Sequence, residues 1–588
     1  MTRRTIPLLV AIALAVPLTV KPADKEPRKC RASEDSVPTS LGATGWAAVD
    51  GPVTGGCGAV PARIFDVHTR KQLVDALTSG SYNDGRKNEH KLDPHSKIIY
   101  VNGTIDLNVD DANVPLREAD YMRMCNYTAH ATYYDPATGN QNGSGGFFGA
   151  YKAAYDPNLW IRQSLDPADN RPPALPTAEG TLEAWRICFQ RAQAERVMID
   201  VGPNTSIIGV GNDARIINGG LRIGFMNQFD ANDPNNYRSE NVVIRNINFA
   251  DAFDMFPGWD PKDSFSITIT NTNGCQAEFD AASNSGPHRC VFRGGRWNTE
   301  YDSIAVMNAE ALWIDHNSFT DSPRFDGQFP PVFAAPFNEP TQKTAHHDGH
   351  VDVTLLATKV TISSNHFMSH DKGNLLGGSD VANLVPGYGP GKIDVTFHGN
   401  YYQNMIQRMP RVRFGRVHVY NNVFDANRLA SFEYRLGDSW ATGTAAKLVT
   451  ENNLFDILNN NLTIPRIINY ASTVANRDLC VGAGFTAAEC GTYYGNRGTW
   501  VTMRTTSTSS TTLFDTFAQV KTTQESSAAN APLFNLFPPS PPIGEPPLPR
   551  PFWLPSHTYD YTLGPVGTDV ERAALRTQVI NNAGAGKL

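Results

Sequence analysis

LWIDHNSF, from Leu312 to Phe319, is a segment of eight residues whose pattern recurs four times further along the chain. Apolar residues stand at its first and third places, Asn at its sixth, and Phe or Tyr at its eighth. The other copies are VTISSNHF from Val360, VTFHGNYY from Val395, VHVYNNVF from Val417 and, with Thr at the third place, LVTENNLF from Leu448. Apolar residues spaced by two are typical of a strand with one buried face.

The spacing of these segments indicates a repeating coil. Their starts lie 48, 35, 22 and 31 residues apart. The shortest spacing is close to one coil of a solenoid, and the longer spacings indicate coils that carry inserted loops. The recurring Asn suggests stacked, identical turns whose side-chain amides hydrogen-bond along the stack. We therefore predict an all-β fold, a right-handed parallel β-helix with long inserted loops and short flanking helices.

The composition agrees with this fold and narrows the choice of partner. The chain has 588 residues, of which 40% are hydrophobic, and its 48 Gly and 40 Pro favour many turns over long helices. A net charge of −7 argues against a nucleic-acid partner. Residues 398–418 nevertheless contain four arginines and no acid. This local excess of positive charge predicts a groove for a polyanion.

The N-terminus indicates where the protein works. Arg3 and Arg4 precede an apolar run over residues 6–20. This run is short for a membrane span and typical of a secretory signal peptide. We predict that residues 1–23 are the signal peptide, with an uncertain cleavage site. The mature protein is expected to be secreted, extracellular and monomeric, with no membrane attachment.

The rest of the chain is predicted to divide into two parts. The β-helix domain is expected over residues 24–504, with a long loop insertion at about 110–176. Within it, the sequence from Thr181 has the best helical pattern of this half of the chain. Residues 505–588 are rich in Ser, Thr and Pro, and we expect them to form an extended segment and a terminal helix, from Val570, that pack on the β-helix.

Eight cysteines suit an oxidising compartment, and none of them forms a CxxC pair. Pairing of sequence neighbours is plausible for Cys275 with Cys290 and for Cys480 with Cys490, because each pair would close a small loop. The full connectivity remains open, since eight cysteines allow 105 arrangements.

Several longer strings resemble the pectate lyase family, whose members are secreted parallel β-helix enzymes that cleave polygalacturonate. The resemblance runs in order from about Ser206 to Phe455. It rests on LWIDHNSFTD together with WNTEYDSI from Trp297, HHDGHVDV from His346, VTISSNHFMSHDKGNLLGGSD from Val360 and QRMPRVRFGRVHVYNN from Gln407. It implies polygalacturonate as the substrate, Ca²⁺ as the cofactor and β-elimination as the reaction, with 4,5-unsaturated products.

The resemblance also places a calcium site. It assigns calcium ligands to Asp302, Asp348 and Asp352, and makes Glu300 a candidate for an additional ion. Elimination removes a proton beside a carboxylate, so the developing second negative charge must be stabilised electrostatically. A calcium ion held by carboxylate oxygens, with positions left for substrate, suits that task.

Three cationic residues complete the site that the resemblance implies. Lys372 matches the family's lysine that contacts the sugar carboxylate, Arg408 its proposed catalytic base, and Arg413 a partner that orients the substrate. A base role for arginine is demanding, because the guanidinium pKa is about 12.5 or higher. Lowering that pKa by about three units requires roughly 4 kcal/mol of differential interaction. Crowding by neighbouring cations acts in that direction.

Other interpretations of these motifs remain open. A pectin lyase would act on methyl-esterified polymer and lack the calcium acids, so Asp302 and Asp352 argue against it. A β-helix that only binds cell-wall polysaccharide would need no base, and Arg408 argues against that. For Asp315 and His316 of the WIDH string, a structural hydrogen-bonding role is preferred to a chemical one.

Overall fold

The computed structural model describes residues 43–78, 92–133, 145–156, 174–261, 295–333, 343–472, 474–514 and 561–587. The predicted signal peptide, Cys275 and Cys290 lie outside these ranges, as does most of the Ser/Thr- and Pro-rich segment. Three long sheets enclose one apolar core, and each coil of the chain adds one strand to each sheet in turn.

The first sheet has ten strands, all paired in parallel. It holds the repeated segments of the sequence. Its strands are β1 (Ile64–Val67), β2 (Lys97–Val101), β5 (Thr205–Gly209), β8 (Ser239–Arg245), β13 (Ala309–Asp315), β16 (Thr358–Ser363), β19 (Ile393–His398), β22 (Gly415–Tyr420), β25 (Lys447–Glu451) and β28 (Tyr493–Arg497).

The second sheet, with eight parallel strands, carries the candidate site. Its strands are β4 (Met198–Val201), β7 (Gly220–Ile223), β12 (Ile304–Met307), β15 (Val351–Thr354), β18 (Leu375–Leu376), β21 (Arg411–Val412), β24 (Trp440–Thr442) and β27 (Ile468–Tyr470).

The third sheet has ten strands, and only its last pair is antiparallel. Its strands are β3 (Thr104–Asp106), β6 (Arg215–Ile217), β9 (Asn248–Ala250), β14 (Ser318–Thr320), β17 (His366–Lys372), β20 (Tyr401–Gln407), β23 (Val423–Asn427), β26 (Leu454–Leu458), β29 (Trp500–Arg504) and β30 (Ser509–Leu513). A separate antiparallel hairpin pairs β10 (Gly258–Asp260) with β11 (Arg296–Asn298). The architecture is the predicted parallel β-helix.

The repeated segment turns the chain from the first sheet into the third. The residue at its fifth place is left-handed in every copy, with φ between 50° and 64°: His316, Ser364, Gly399, Asn421 and Asn452. The side-chain amide at its sixth place donates to the amide oxygen of the same Asn in the next coil, at 3.0–3.1 Å. The ladder runs from Asn317 through Asn365, Asn400 and Asn422 to Asn453, which accepts the last of these bonds. These buried amides form the predicted ladder, which satisfies polar groups that the core would otherwise leave unpaired.

An aromatic stack runs beside this ladder. The rings at the eighth place lie nearly parallel, with neighbouring centroids 4.3–4.9 Å apart: Phe319, Phe367, Tyr402, Phe424 and Phe455. Because identical positions stack coil on coil, one local pattern fixes the register of the whole solenoid.

Seven helices flank the coils in the part of the chain that the structure describes: α1 (Arg70–Thr78), α2 (Glu118–Met124), α3 (Gly146–Ala154), α4 (Leu182–Val197), α5 (Val474–Gly482), α6 (Ala487–Cys490) and α7 (Asp569–Asn582). Helix α4 begins after Thr181, whose side chain accepts from the N–H of Ala184. Helix α7 contacts β23, where Arg576 pairs with Asp425. Within the described ranges, none of the helices combines the length and apolar character that a membrane crossing requires.

The insertion at 110–176 is predicted from its sequence to be a long loop, and the parts of it that the structure describes include helices. Its described parts contain α2 and α3, which pack with α4 around a cluster of aromatic side chains. A disulfide between Cys125 and Cys188 joins α2 to α4, and the predicted Cys480–Cys490 disulfide is also present. The aromatic cluster and the disulfide explain why a segment without sustained periodicity is folded.

Candidate active site

The site lies on the outward face of the second sheet. In β15, Val351 and Val353 point into the core and are fully buried, so Asp352 between them faces outward. Asp352 aligns with Ala305 of β12, and Ala305 aligns with Arg222 of β7. Residues in the same register therefore form a row across the coils, with neighbours about 5 Å apart.

Two acids of the predicted calcium site converge on one glycine. Asp302, which precedes β12, accepts a hydrogen bond of 2.8 Å from the N–H of Gly349. A Cβ atom on Gly349 would lie 2.3 Å from Asp352 Oδ1 and 2.8 Å from Asp302 Oδ1. Only glycine fits between the two carboxylates. Both acids are nearly buried, with 7% of Asp302 and 6% of Asp352 exposed.

The third acid, Asp348, is paired with the predicted substrate lysine. Lys372 is the last residue of β17, and its Nζ donates to Asp348 Oδ1 at 3.0 Å. The backbone of Lys372 bridges Gly349, so the lysine stands directly beside the converging acids. The structure therefore brings the three predicted calcium ligands and the lysine into one place.

The charges of this cluster are not balanced within it. Burial, with added repulsion from Asp352 and Asp348, raises the pKa of Asp302 well above its usual value. Burial and Asp348 likewise raise the pKa of Asp352 to about 7. Burial also acts to raise the pKa of Asp348, but Lys372 and Arg408 outweigh it and the pKa is lowered.

These acids suit a divalent cation. The nearly buried carboxylates of Asp302 and Asp352 keep raised pKa values despite the cations beside them, and their oxygens converge around a glycine that leaves no room for a side chain. Calcium prefers such oxygen ligands. The donor set of Asp302, Asp348 and Asp352 therefore fits Ca²⁺. Glu300 is exposed on the rim of the same cavity, which has a volume of about 1970 Å³.

The arginine-rich segment continues the site across the next coils. Arg408 follows β20 in a left-handed conformation with φ of 60°, and its carbonyl accepts from the N–H of Asn374. It lies close enough to the two acids to help lower the pKa of Asp348 and to limit the rise of the Asp352 pKa. The Nε atom of Arg408 is buried without a hydrogen-bond partner among the described residues.

Arg413 differs from Arg408 in its bonding, whereas the Nε atom of Arg411 is likewise buried without a hydrogen-bond partner among the described residues. Arg413 donates from Nε to Asp380 at 2.9 Å and from Nη1 to the carbonyl of Gly377 at 3.0 Å, which fixes its fork. Burial, with repulsion from Arg413 and Arg408, lowers the pKa of the Arg411 guanidinium to about 10. The charged form of Arg411 is therefore disfavoured by its surroundings.

A buried histidine–aspartate network supports Lys372 from behind, and the sequence analysis missed it. His370 Nδ1 lies 2.7 Å from Asp321 Oδ1, and its Nε2 lies 3.2 Å from the carbonyl oxygen of Lys372. His347 Nε2 lies 2.9 Å from Asp251 Oδ1. Burial acts to lower the pKa of His347, but the aspartates outweigh it and raise that pKa to about 10.

This network contains metal-ligand residue types, in two overlapping sets: Asp321 with His350 and His370, and Asp321 with Asp326 and His347. Positive charge is already supplied there. Lys343 pairs with Asp326 and with Asp371, and His347 favours its charged form. We therefore interpret the network as support for Lys372 rather than as a second metal centre. The signal that could have revealed this network is the recurrence of His and Asp within and next to the strings HHDG and HDK.

Asp315 and His316 have the structural role that was preferred for them. Asp315 accepts from Arg245 Nε at 2.9 Å and from Ser363 Oγ at 2.6 Å. His316 Nδ1 lies 2.6 Å from Asp315 Oδ2, the oxygen that also accepts from Arg245. These bonds tie three neighbouring coils of the first sheet together.

Proteins of similar sequence are pectate lyases. Residues 284–588 match a family model described as pectate lyase. A pectate lyase of Bacillus subtilis (strain 168) is 33% identical over 413 residues, which are 70% of this chain and 75% of that protein. Pectate lyase E of Dickeya dadantii (strain 3937) is 29% identical over 45% of this chain and 52% of its own length.

Solved structures show the same likeness over nearly the whole chain. The pectate lyase from Acidovorax avenae subsp citrulli has a TM-score of 0.71 and 33% identity, and the match covers 93% of this chain and 95% of that one. A pectate lyase bound to a hexasaccharide has a TM-score of 0.59 and 29% identity, covering 93% and 97% of the two chains. This protein belongs to the pectate lyase family of parallel β-helix polysaccharide lyases.

Proposed function

We propose that this protein is a secreted pectate lyase that cleaves α-1,4-linked polygalacturonate by calcium-assisted β-elimination. The observation that carries the proposal is the convergence of Asp302 and Asp352 on Gly349, beside Lys372 and Arg408. Two buried acids that repel one another, beside the cationic Lys372 and Arg408, can hold a divalent ion and a carboxylate together. The secreted location rests on the sequence of residues 1–23.

Asp302, Asp348 and Asp352 are the residues that would hold Ca²⁺. Bound there, calcium would neutralise the sugar carboxylate and stabilise the negative charge that develops beside it. Glu300, on the rim, is the candidate for an additional ion. Lys372 would bind the same carboxylate, and its existing contact with Asp348 keeps the ammonium directed at the site. Arg413, fixed by Asp380, would orient the sugar from the next coil.

Arg408 is the proposed base. It would take the proton from C5 of the sugar, and the electron pair of that C–H bond would form the C4–C5 double bond. The bond from C4 to its oxygen would break with its electron pair going to the oxygen, which would take a proton from solvent. Arg408 can do this only in its neutral form. An alkaline solution increases the neutral fraction of a guanidinium, which is why turnover is expected to increase with pH.

The proposal predicts turnover of polygalacturonate with Ca²⁺ that increases toward alkaline pH. Product formation is followed by the ultraviolet absorbance of the unsaturated ends, with and without EGTA, and with highly methylated pectin for comparison. Unesterified polymer should be cleaved faster, because calcium and Lys372 both need a free carboxylate. Full activity in EGTA or an optimum near pH 5 would contradict the proposal. Preference for methylated pectin would favour a pectin lyase, and absence of product from either would favour a binding protein.

A further inference from the structure

One aromatic side chain, that of Phe229, is almost fully exposed to solvent. Among the phenylalanines, tyrosines and tryptophans of the described ranges, Phe229 alone is exposed, with 87% of its surface accessible. It belongs to the segment 225–237, which follows β7 and which we call the Phe229 loop. This loop lines the same cavity as Asp302 and Asp352.

The Phe229 loop is held in shape by its own hydrogen bonds. The backbones of Phe225 and Tyr237 bond in both directions, at 2.9 and 3.1 Å. Asn227 accepts from the N–H of Phe229 at 2.9 Å and donates from Nδ2 to Asp233 at 2.6 Å. The aromatic ring is therefore presented to solvent by a fixed turn, which lowers the cost of ordering the backbone when a ligand binds.

The loop stands beside the candidate site on the same row of the second sheet. Arg222, two strands from Asp352 in the same register, is therefore about 10 Å from it. Tyr237 donates its hydroxyl to the carbonyl of Arg222 at 2.8 Å. The side-chain amide of Asn308, which follows β12, donates to the carbonyl of Tyr237 at 3.1 Å. A polymer chain that lies along the row past Ala305 would reach the loop.

The charge around the loop is unfavourable for a free carboxylate. The segment FMNQFDANDPNNY contains Asp230 and Asp233 and neither Lys nor Arg. The arginines on either side are already paired, Arg222 with Asp200 at 2.6 Å and Arg238 with Glu310. A sugar residue at this position would be held by its face on an aromatic ring, without an ion pair.

We propose that the Phe229 loop forms an outer subsite that binds a methyl-esterified galacturonate residue by stacking on Phe229. The inference rests on the proposed function, in which the sugar bound beside the calcium ligands must carry a free carboxylate. Together the two sites would recognise a partly esterified polymer, with a free acid at the point of cleavage and an ester a few sugars away.

The test compares Phe229→Ala and Phe229→Tyr with the wild type on unesterified polygalacturonate and on pectin of about half esterification. Leu479→Ala is the matched control, since Leu479 is 63% exposed on α5 and does not line the cavity. Phe229→Ala should raise KM on the half-esterified pectin about fivefold, equal to roughly 1 kcal/mol. For Phe229→Ala, KM on polygalacturonate should change less than twofold, and kcat should be unchanged on both polymers. The KM and kcat values of Phe229→Tyr and Leu479→Ala should match those of the wild type.

Three other outcomes would contradict the proposed subsite. Unchanged KM on both substrates would mean that Phe229 does not contact the polymer, and an equal rise on both would mean that it does not distinguish esters. A Phe229→Tyr variant as weak as Phe229→Ala would exclude stacking. Failure of the wild type to cleave either polymer would instead refute the proposed function, and the subsite with it.

Discussion

Replacing Asp352 by Asn should stabilise the calcium-free protein at pH 8. Burial and the charge of Asp348 raise the pKa of the Asp352 carboxyl from 3.8 to about 7. An acid whose pKa is raised by folding binds its proton more tightly in the folded state. Its contribution to stability is therefore lost as the pH rises from the unfolded value to the folded one. Above pH 7 the folded protein carries the full cost of the charge.

The size of the effect follows from the shift. At about 1.4 kcal/mol per unit of pKa, the charge of Asp352 costs about 4 kcal/mol at pH 8. The cost is about 2 kcal/mol at pH 5.5 and close to zero below pH 4, where the carboxyl is protonated in both states. Asn removes this cost, and its carbonyl can still accept the 2.9 Å bond from the N–H of Leu375.

Urea unfolding in EGTA at pH 5.5 and pH 8 measures the difference. The control is Asp371→Asn. Burial acts to raise the pKa of Asp371, but Lys343 outweighs it and lowers that pKa to about 2. Loss of that charge should destabilise the protein at pH 8, the opposite sign. Saturating Ca²⁺ should stabilise the wild type and have little effect on Asp352→Asn. A lower stability of Asp352→Asn than of the wild type in EGTA at pH 8, or an equal gain in stability at both pH values, would contradict this prediction.

Two further variants separate chemistry from calcium binding. Arg408→Lys keeps the positive charge but not the planar fork. Turnover should therefore be abolished, while calcium affinity, measured by titration, is largely kept. Retention of more than about a tenth of the rate, a barrier change under roughly 1.4 kcal/mol, would exclude Arg408 as the base. Gly349→Ala places a methyl group 2.3 Å from Asp352 Oδ1, so calcium affinity should fall at least tenfold. Gly378→Ala is its control, since there the added atom meets nothing closer than 3.7 Å; similar calcium affinities for the two variants would count against the convergence on Gly349.

The fold could be predicted from the sequence where the structure is locally repetitive. A left-handed residue, an amide and an aromatic recur at fixed places, so the turn, the amide ladder and the ring stack are all encoded within eight residues. The insertion at 110–176 could not be predicted in this way. Its helices are held by contacts between distant residues, such as the edge-to-face pairs of Phe256 with Tyr121 and Tyr133 and the Cys125–Cys188 disulfide.

The site could be predicted only in part, for a related reason. Asp302, Asp348, Asp352 and Lys372 lie in strings that resemble the family, and the structure brings them together. The sequence did not show that Lys372 already holds Asp348. That contact depends on how β17 aligns with the loop before β15, and loops of unequal length between coils hide such alignments from a search for period.

The most repetitive part of the chain lies next to the least favourable charges, and the two features are connected. The coils that carry Asp302 and Asp352 also contain Asn317 and Asn365 of the amide ladder, and their rings belong to the same stack. Each ladder bond and ring contact contributes a modest free energy, but together they fix the coil spacing. A site that costs about 4 kcal/mol at one carboxylate can persist only when its surroundings determine the geometry. The solenoid supplies that rigidity, so the repulsion between the acids is kept available for binding a cation.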